Sequence, residues 1–247
     1  MAAPDRVTVV VPTYNEIGSL EAAAVGVISH GYRLLVVDDA SPDGTGRLAD
    51  ELAARLELVD VLHRNQKQGL GPAYVAGFEM ALAAGAEIVC EMDADLSHDP
   101  AYLPDLIREV EAGAEVVIAS RLVPGGGISN WSLWRRTLSR LANLYARTML
   151  GVPIRDTTSG FRAFTAAAVR KLDPASCLAN GYGFQIEMAW RAHRAGMNVA
   201  EIPFIFVERT HGKSKLSGRI VIEAMWLVTR WGVARLLGRS RRSPSRE

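Results

Sequence analysis

The stretch Val7-Thr-Val-Val-Val-Pro-Thr-Tyr-Asn-Glu16 passes from an apolar, β-branched run directly into polar residues. Such a run, Val7–Val11, reads as a strand covered on both faces, so Pro12 to Glu16 sit just past its carboxyl end. The transition repeats: Leu34–Val37 leads into Asp38-Asp-Ala-Ser-Pro-Asp-Gly44, and Ile88–Met92 leads into Asp93-Ala-Asp95. Val59–His63 and Glu115–Ala119 have strand character too, and Ala/Leu-rich segments of helical spacing connect the runs at Ser19–Ser29, Gly46–Leu56, Gly71–Ala84 and Pro100–Ala112. Alternation of the two periods predicts an α/β fold, a Rossmann-like, mostly parallel central sheet flanked by helices. Ligands of such sheets bind beyond the carboxyl ends of strands, which makes the three polar junctions the first place to look for a site.

With 247 residues, one domain is the expectation. Twenty-eight basic residues against 27 acidic ones give a net charge of +1, and nothing in that balance points to nucleic acid. Cys90 and Cys177 are far apart and fit neither a disulfide framework nor a zinc pattern, so a reducing cytoplasm is expected. The strand at Val7 is reached without a leader-like segment, and no stretch approaches about 20 uncharged apolar residues. The chain divides into residues 1–218 as the α/β domain, 219–239 as an amphipathic helix, and 240–247 as a Ser/Arg-rich, disordered tail. Pro124-Gly-Gly-Gly-Ile128 reads as a flexible joint.

Any one polar junction is accounted for as a helix cap or a turn. Together, five carboxylates (Glu16, Asp38, Asp39, Asp93 and Asp95) would crowd one sheet edge and repel unless a cation lay among them. A hard divalent ion, Mg²⁺ or Mn²⁺, bound by one or two carboxylates and otherwise by substrate phosphates, resolves this. The spacing Asp93-x-Asp95 puts both side chains on one side of an extended segment.

The succession Pro12-Thr-Tyr-Asn-Glu16, Val37-Asp-Asp-Ala-Ser41, Asp93-Ala-Asp95 and Gly160-Phe-Arg162 resembles the family 2 inverting glycosyltransferases of GT-A fold. More narrowly, Met92-Asp-Ala-Asp-Leu-Ser-His98 and Glu208-Arg-Thr-His-Gly-Lys-Ser-Lys215 resemble the dolichol- or polyprenol-phosphate mannosyltransferases. The resemblance implies that Pro12, Tyr14, Glu16, Val37 and Asp39 hold the nucleotide. It implies that Asp93, Ala94 and Asp95 face the diphosphate, with Asp95 the principal metal ligand and Ser97 reaching the metal through water. The implied donor is GDP-mannose and the implied acceptor a polyprenyl monophosphate. Another nucleotide sugar such as UDP-glucose, a hydroxyl acceptor, and a non-catalytic binding module stand as alternatives.

A phosphate monoester with its second pKa near about 6 is already largely dianionic at neutral pH and needs no general base. It needs cations instead. From Trp131 a helical pattern puts Trp131, Trp134, Leu138, Leu141, Tyr145 and Met149 on one face, and Arg136, Arg140 and Arg147 on the opposite face toward solvent or anionic headgroups. Arg135 and Ser139 share the shoulder between those faces. The resemblance assigns the acceptor phosphate to Arg121, Arg135 and Ser139, with Asp95, Arg121 and Arg135 as the catalytic set; the plainer reading makes Arg135 one more solvated arginine. Arg209 and Lys215, after the strand-like run Ile202–Val207, would close over the donor diphosphate, or form a solvated loop. Asp156 either polarises the site or pairs with Arg162. The helix Ile220–Leu237 carries three internal charges, which argues against a span. It either packs as core or lies on a membrane surface with Trp226 and Trp231 as anchors. The expectation is peripheral attachment at the cytoplasmic face of the membrane, reinforced by a membrane-embedded partner chain.

Overall fold

The computed structural model describes residue 3 and residues 6–179, 181–208 and 218–237. Strands β1 (Val7–Thr13), β2 (Arg33–Asp38), β3 (Val59–His63) and β4 (Ile88–Glu91) alternate with helices α1 (Leu20–Ile28), α2 (Thr45–Arg55) and α3 (Leu70–Ala83). They are followed by α4 (Leu103–Glu111), β5 (Val116–Ser120), the short β6 (Gly127–Ile128) and the long α5 (Leu133–Leu150). Then come β7 (Arg162–Thr165), α6 (Ala166–Leu172), α7 (Tyr182–Arg194), β8 (Val199–Pro203), β9 (Ile205–Phe206) and α8 (Gly218–Leu236).

The main sheet has seven strands in the order β3-β2-β1-β4-β7-β5-β8. All neighbours are parallel except β7, which runs antiparallel between β4 and β5. Side-chain alternation divides the core between its two faces: Val9, Val11, Leu34 and Val36 pack toward α1 and α4, and Val10, Leu35 and Val37 pack toward α3. That second face admits α3 only because residue 77 is glycine, where a Cβ would lie 2.3 Å from Val10 Cγ1. Strand order reverses between β1 and β4, and the carboxyl ends of β1, β2 and β4 share that edge. It is the switch point where open α/β sheets form ligand crevices.

The parallel half follows the sequence expectation closely, and the second half does not. Strand β7 has only four residues and starts at an arginine, too short for a period to register. The run expected at Ile202–Val207 divides into β8, in the main sheet, and β9, which pairs with β6. The stretch 124–128 is pinned rather than a flexible joint: Gly126 N donates to Val123 O (2.9 Å), and Gly127 N to Phe204 O (3.0 Å).

Helix α8 buries Ala224, Leu227, Val228 and Trp231, and leaves Ile222, Met225, Trp226, Val233 and Leu236 exposed. Trp231 stacks on Trp190 at 5.0 Å. The expectation of Trp231 as a membrane anchor is therefore corrected; stacking on α7 takes it out of reach of a surface. Tyr145 and Thr229 share a hydrogen bond of 2.6 Å, and Arg235 donates to the carbonyls of Met149 (3.0 Å) and Thr148 (3.2 Å), capping α5. On α5 itself, Asn143, Ala146 and Leu150 face inward, while Leu133, Trp134, Leu138, Leu141 and Leu144 are exposed. Among the described residues no helix is long and apolar enough to cross a membrane. The residue 240–247 tail lies outside the described residues.

Candidate active site

A cavity of about 290 Å³ opens at the switch point. Its walls include Pro12, Tyr14 and Glu16 from the end of β1, Asp39 from the end of β2, and Asp93, Ala94 and Asp95 from the end of β4. Each of the three junctions contains a non-glycine residue in the left-handed region: Asn15 (φ 59°), Ala40 (φ 53°) and Leu96 (φ 63°). Such backbone costs of order 1–3 kcal/mol for residues like alanine and leucine, and it persists where the surroundings over-determine it, as at ligand sites.

The carboxylates divide by role. Asp38 is buried in its own turn, its Oδ1 accepting from the hydroxyls of Thr13 (3.0 Å) and Ser41 (2.6 Å) and its Oδ2 from Ser41 N (3.0 Å). The cavity thus holds four of the five expected carboxylates, because Asp38 is consumed as a turn staple. Asp39 accepts from Arg64 (2.7 Å) and Gln68 N (3.3 Å). Burial nevertheless leaves its carboxyl above the ordinary range, Arg64 offsetting only part of the effect. Asp95 is buried, its Oδ1 held by Ser97 N (3.1 Å) and Ser97 Oγ (2.6 Å), so Ser97 orients this carboxylate directly.

Asp93 N donates to His98 Nδ1 (3.0 Å), and His98 stacks on Phe161 at 5.0 Å. Burial lowers the His98 pKa despite the nearby Asp93 and Asp95, so the ring is a neutral acceptor fixing the loop. Among the described residues no group of three His, Cys, Asp or Glu side chains could close a metal shell. An ion on Asp93 and Asp95 must complete its coordination with phosphate oxygens and water, the ordinary habit of Mg²⁺ and Mn²⁺. The donor set fits such an ion.

Val37, on β2, is fully buried against α3, and its side chain is not on the cavity wall. Arg121 also lies off this wall. Its Nε and Nη2 donate to Asp156 Oδ2 and Oδ1 at 2.7 Å each, and Nη2 also reaches Thr158 Oγ1 at 2.7 Å. Burial would raise the Asp156 carboxyl, but Arg121 and its hydrogen bonds hold it below its ordinary value. Asp156 thus pairs with Arg121, not with Arg162. Wholly buried Arg162 satisfies the carbonyls of Ser159 (2.8 Å), Thr157 (2.9 Å) and Gln185 (2.9 Å), a task suited to a planar fork of donors. The Gly160-Phe-Arg162 motif therefore ties the loop before β7 to α7.

Arg135 lies one turn into α5, stacked 3.9 Å over Trp131 and paired with Glu208. Ser139 O accepts from Asn143 Nδ2 at 3.1 Å. An aromatic wedge joins this flank to the loop after β4: His98 meets Phe206 at 6.0 Å, and Phe206 meets Trp131 at 5.4 Å. Arg209 and Lys215 lie outside the described residues.

Sequence reasoning missed Lys67, Thr158 and Gln185, which also line the cavity. Lys67 Nζ sits 3.8 Å from the Tyr14 ring centroid, a pairing between segments with no shared period. Gln185 carried a signal, as a polar residue within the apolar run Phe184-Gln-Ile-Glu-Met-Ala-Trp190.

The sequence profile described as glycosyl transferase family 2 matches residues 8–173. A polyprenol monophosphomannose synthase of Mycolicibacterium smegmatis is 48% identical over 240 residues, covering 96% of this chain and 90% of the relative. An undecaprenyl-phosphate mannosyltransferase of Micrococcus luteus is also 48% identical, over 232 residues, covering 93% of this chain and 95% of its own. Among solved structures, glucosyl-3-phosphoglycerate synthase of Mycobacterium tuberculosis, with Mn²⁺ and UDP-glucose, superposes with a TM-score of 0.62 at 23% identity, covering 97% of this chain and 81% of that one. A Pyrobaculum calidifontis mannosyltransferase in complex with GDP-mannose and Mn²⁺ gives 0.59 at 20%, covering 98% and 68%. At these identities the structural likeness speaks for the GT-A fold alone.

Proposed function

The chain belongs to glycosyl transferase family 2, and from that premise we propose that it transfers mannose from GDP-mannose to a polyprenyl monophosphate with inversion. Two relatives at 48% identity, named for mannosyl transfer to polyprenol or undecaprenyl phosphate, support the sugar and the lipid. The nucleotide follows from the resemblance of Met92-Asp-Ala-Asp-Leu-Ser-His98 to the polyprenol-phosphate mannosyltransferases. One observation carries the choice of a phosphate acceptor: Asp156, the carboxylate beside Arg121, is held ionised by three hydrogen bonds from that arginine, one from its backbone and two from its side chain, which makes it a poor general base. A phosphate dianion requires none.

In this reading Pro12, Tyr14, Glu16 and Asp39 bind the nucleotide, with Ala94 beside the diphosphate and Val37 acting through its backbone. Asp93 and Asp95 would hold a divalent ion, Mg²⁺ or Mn²⁺, which when bound would supply counter-charge to the leaving diphosphate. Ser97 orients Asp95, with water completing any contact to the ion. Arg121, Arg135 and Ser139 hold the acceptor phosphate; Glu208 occupies Arg135 until that phosphate arrives. A phosphate oxygen attacks the anomeric carbon from the face opposite the diphosphate. The bond from that carbon to the diphosphate breaks, its electron pair passing to GDP. In the same reading Arg209 and Lys215 are the cations matched to the donor diphosphate.

The lipid acceptor calls for attachment to a membrane surface. The exposed apolar residues of α5 and α8 support it, with Trp226 as the anchor and Arg230 over its ring at 5.4 Å. A membrane-embedded partner chain would reinforce the attachment. The test is incubation with labelled nucleotide sugars, polyprenyl phosphate and Mn²⁺ or Mg²⁺, followed by organic extraction. Mannose entering a mild-acid-labile lipid from GDP-mannose is the expected result. Label entering the lipid only from UDP-glucose, or metal-independent transfer, would overturn the reading.

A further inference from the structure

A second cavity, of about 310 Å³, lies beside α5, walled by Arg121, Arg140, Asn143, Leu144, Arg147 and Arg155. It adjoins the donor cavity without sharing a residue with it. Arg121, on this wall, donates to Thr158, which lines the other. Asn143 makes the floor rigid: its Oδ1 accepts from Thr157 N (2.8 Å) and Thr157 Oγ1 (2.9 Å), and its Nδ2 donates to Ser139 O and Thr158 Oγ1 at 3.1 Å each.

The charge here is not balanced locally. Arg121 is matched by Asp156, and Glu201 is occupied by the backbone amides of Arg155 (2.8 Å) and Asp156 (2.9 Å). Among the described residues Arg140, Arg147 and Arg155 form no ion pair, and Arg147 Nε is buried without a hydrogen-bond partner. Three guanidinium groups around one concavity suit a phosphate, which Arg binds with planar, bidentate geometry. The rim carries the second half of the recognition. Leu144 lines the cavity at 56% exposure, and Leu141 and Leu138 continue the apolar ridge at 56% and 46%.

We propose that Arg140, Arg147 and Arg155 on this cavity bind the phosphodiester headgroup of an anionic bilayer lipid, beside the acceptor phosphate that the proposed function gives to Arg121. The cations take the headgroup while Leu144, Leu141 and Leu138 enter the acyl boundary. The inference rests on the reading that the enzyme works at a membrane surface, and it names the lipid chemistry that would seat α5 there.

The test uses the full chain, with Arg147→Ala, Arg155→Ala, the double alanine variant and a double lysine variant at the same positions. Two readouts are taken: mannosyl transfer to polyprenyl phosphate in neutral detergent micelles, and flotation with phosphatidylcholine vesicles with or without phosphatidylglycerol. A charge-assisted hydrogen bond is worth about 1.5–3 kcal/mol, so each alanine should weaken binding to the anionic vesicles about tenfold or more. Transfer in micelles should be unchanged.

The lysine pair should also bind weakly, because it keeps the charge and loses the fork. Lysine variants that bind like wild type would reduce the site to a diffuse basic face and overturn the proposal. Loss of micellar transfer in the alanine variants, with their melting temperature intact, would assign the cavity to the acceptor instead. Inorganic phosphate displacing the protein from vesicles as well as glycerophosphoglycerol does would make the ligand free phosphate. If wild type shows no transfer in micelles the assigned activity falls, while the flotation arm still decides this site.

Discussion

At the carboxyl ends of β1, β2 and β4, the polar side chains of the switch-point cavity follow directly, in sequence, the strands that position them. On the flank formed by α5 and α8 the functional groups come from segments far apart, Arg135 with Glu208 and Arg235 with Met149, and large apolar residues remain uncovered. The contrast teaches that one edge is organised by turn chemistry within a few residues, the other by helix packing that only the folded chain reveals.

The sharpest way to break the comparison is to treat α8 as either core or surface. Trp231→Ala should cost about 3–5 kcal/mol in a denaturant titration, because it opens a cavity beside Trp190. Trp226→Ala, at an exposed position, should stay within about 0.5 kcal/mol and instead weaken flotation with anionic vesicles. Equal destabilisation by both would mean that α8 has no surface face.

The next effect separates the acceptor flank from the donor edge. Arg135→Ala should raise the KM for polyprenyl phosphate by about tenfold or more, since a charge-assisted hydrogen bond is worth about 1.5–3 kcal/mol, and leave the KM for GDP-mannose unchanged. Glu208→Gln should lower the acceptor KM, because the phosphate would no longer displace a carboxylate from Arg135. A rise in acceptor KM in the glutamine variant would show that Glu208 positions Arg135 instead.

Legibility follows the same contrast. Glu16, Asp39, Asp93 and Asp95 could be placed from sequence because a strand of period two and an abrupt polar junction leave few geometries. The pattern of residues could not tell Asp38 from Asp39 at the end of the same strand, although the resemblance named only Asp39 for the nucleotide; the fold shows Asp38 turned onto Thr13 and Ser41. The amphipathic pattern of α5 was visible, but a pattern shows that a face is apolar without showing what covers it. Val37 illustrates the same limit: the resemblance gives it to the nucleotide, while its side chain belongs to the core. β7 and α7, which bring Arg162 and Gln185 under the cavity, lie beyond the parallel repeat that made the first half readable.

A smaller effect probes the floor beneath the donor edge. Burial pushes the Glu91 carboxyl up to about 7, with Arg162 and the Gln185 amide pulling the other way. The folded chain therefore keeps this proton where the unfolded chain, at the ordinary value of 4.5, has released it. Its contribution to stability is complete below that lower value and lost as pH rises through about 7. His98 titrates with the opposite sign, so the difference between wild type and Glu91→Gln is the quantity to read. Wild type should lose stability relative to the variant across that window, and a constant difference would remove Glu91 as the source. Smaller still, Ala40→Gly should raise stability by at most about 1 kcal/mol by relieving its positive φ, without changing the acceptor KM.

The division into a metal-dependent donor edge and a separate acceptor flank is tested most directly by calorimetric titration of GDP-mannose in the presence of Mn²⁺. Asp95→Ala should weaken donor binding at least about tenfold, removing the counter-charge to the diphosphate, while remaining folded and insensitive to chelation. Arg135→Ala should bind the donor like wild type. Equal losses in the two variants, or donor binding by Asp95→Ala that matches wild type in Mn²⁺, would contradict the account.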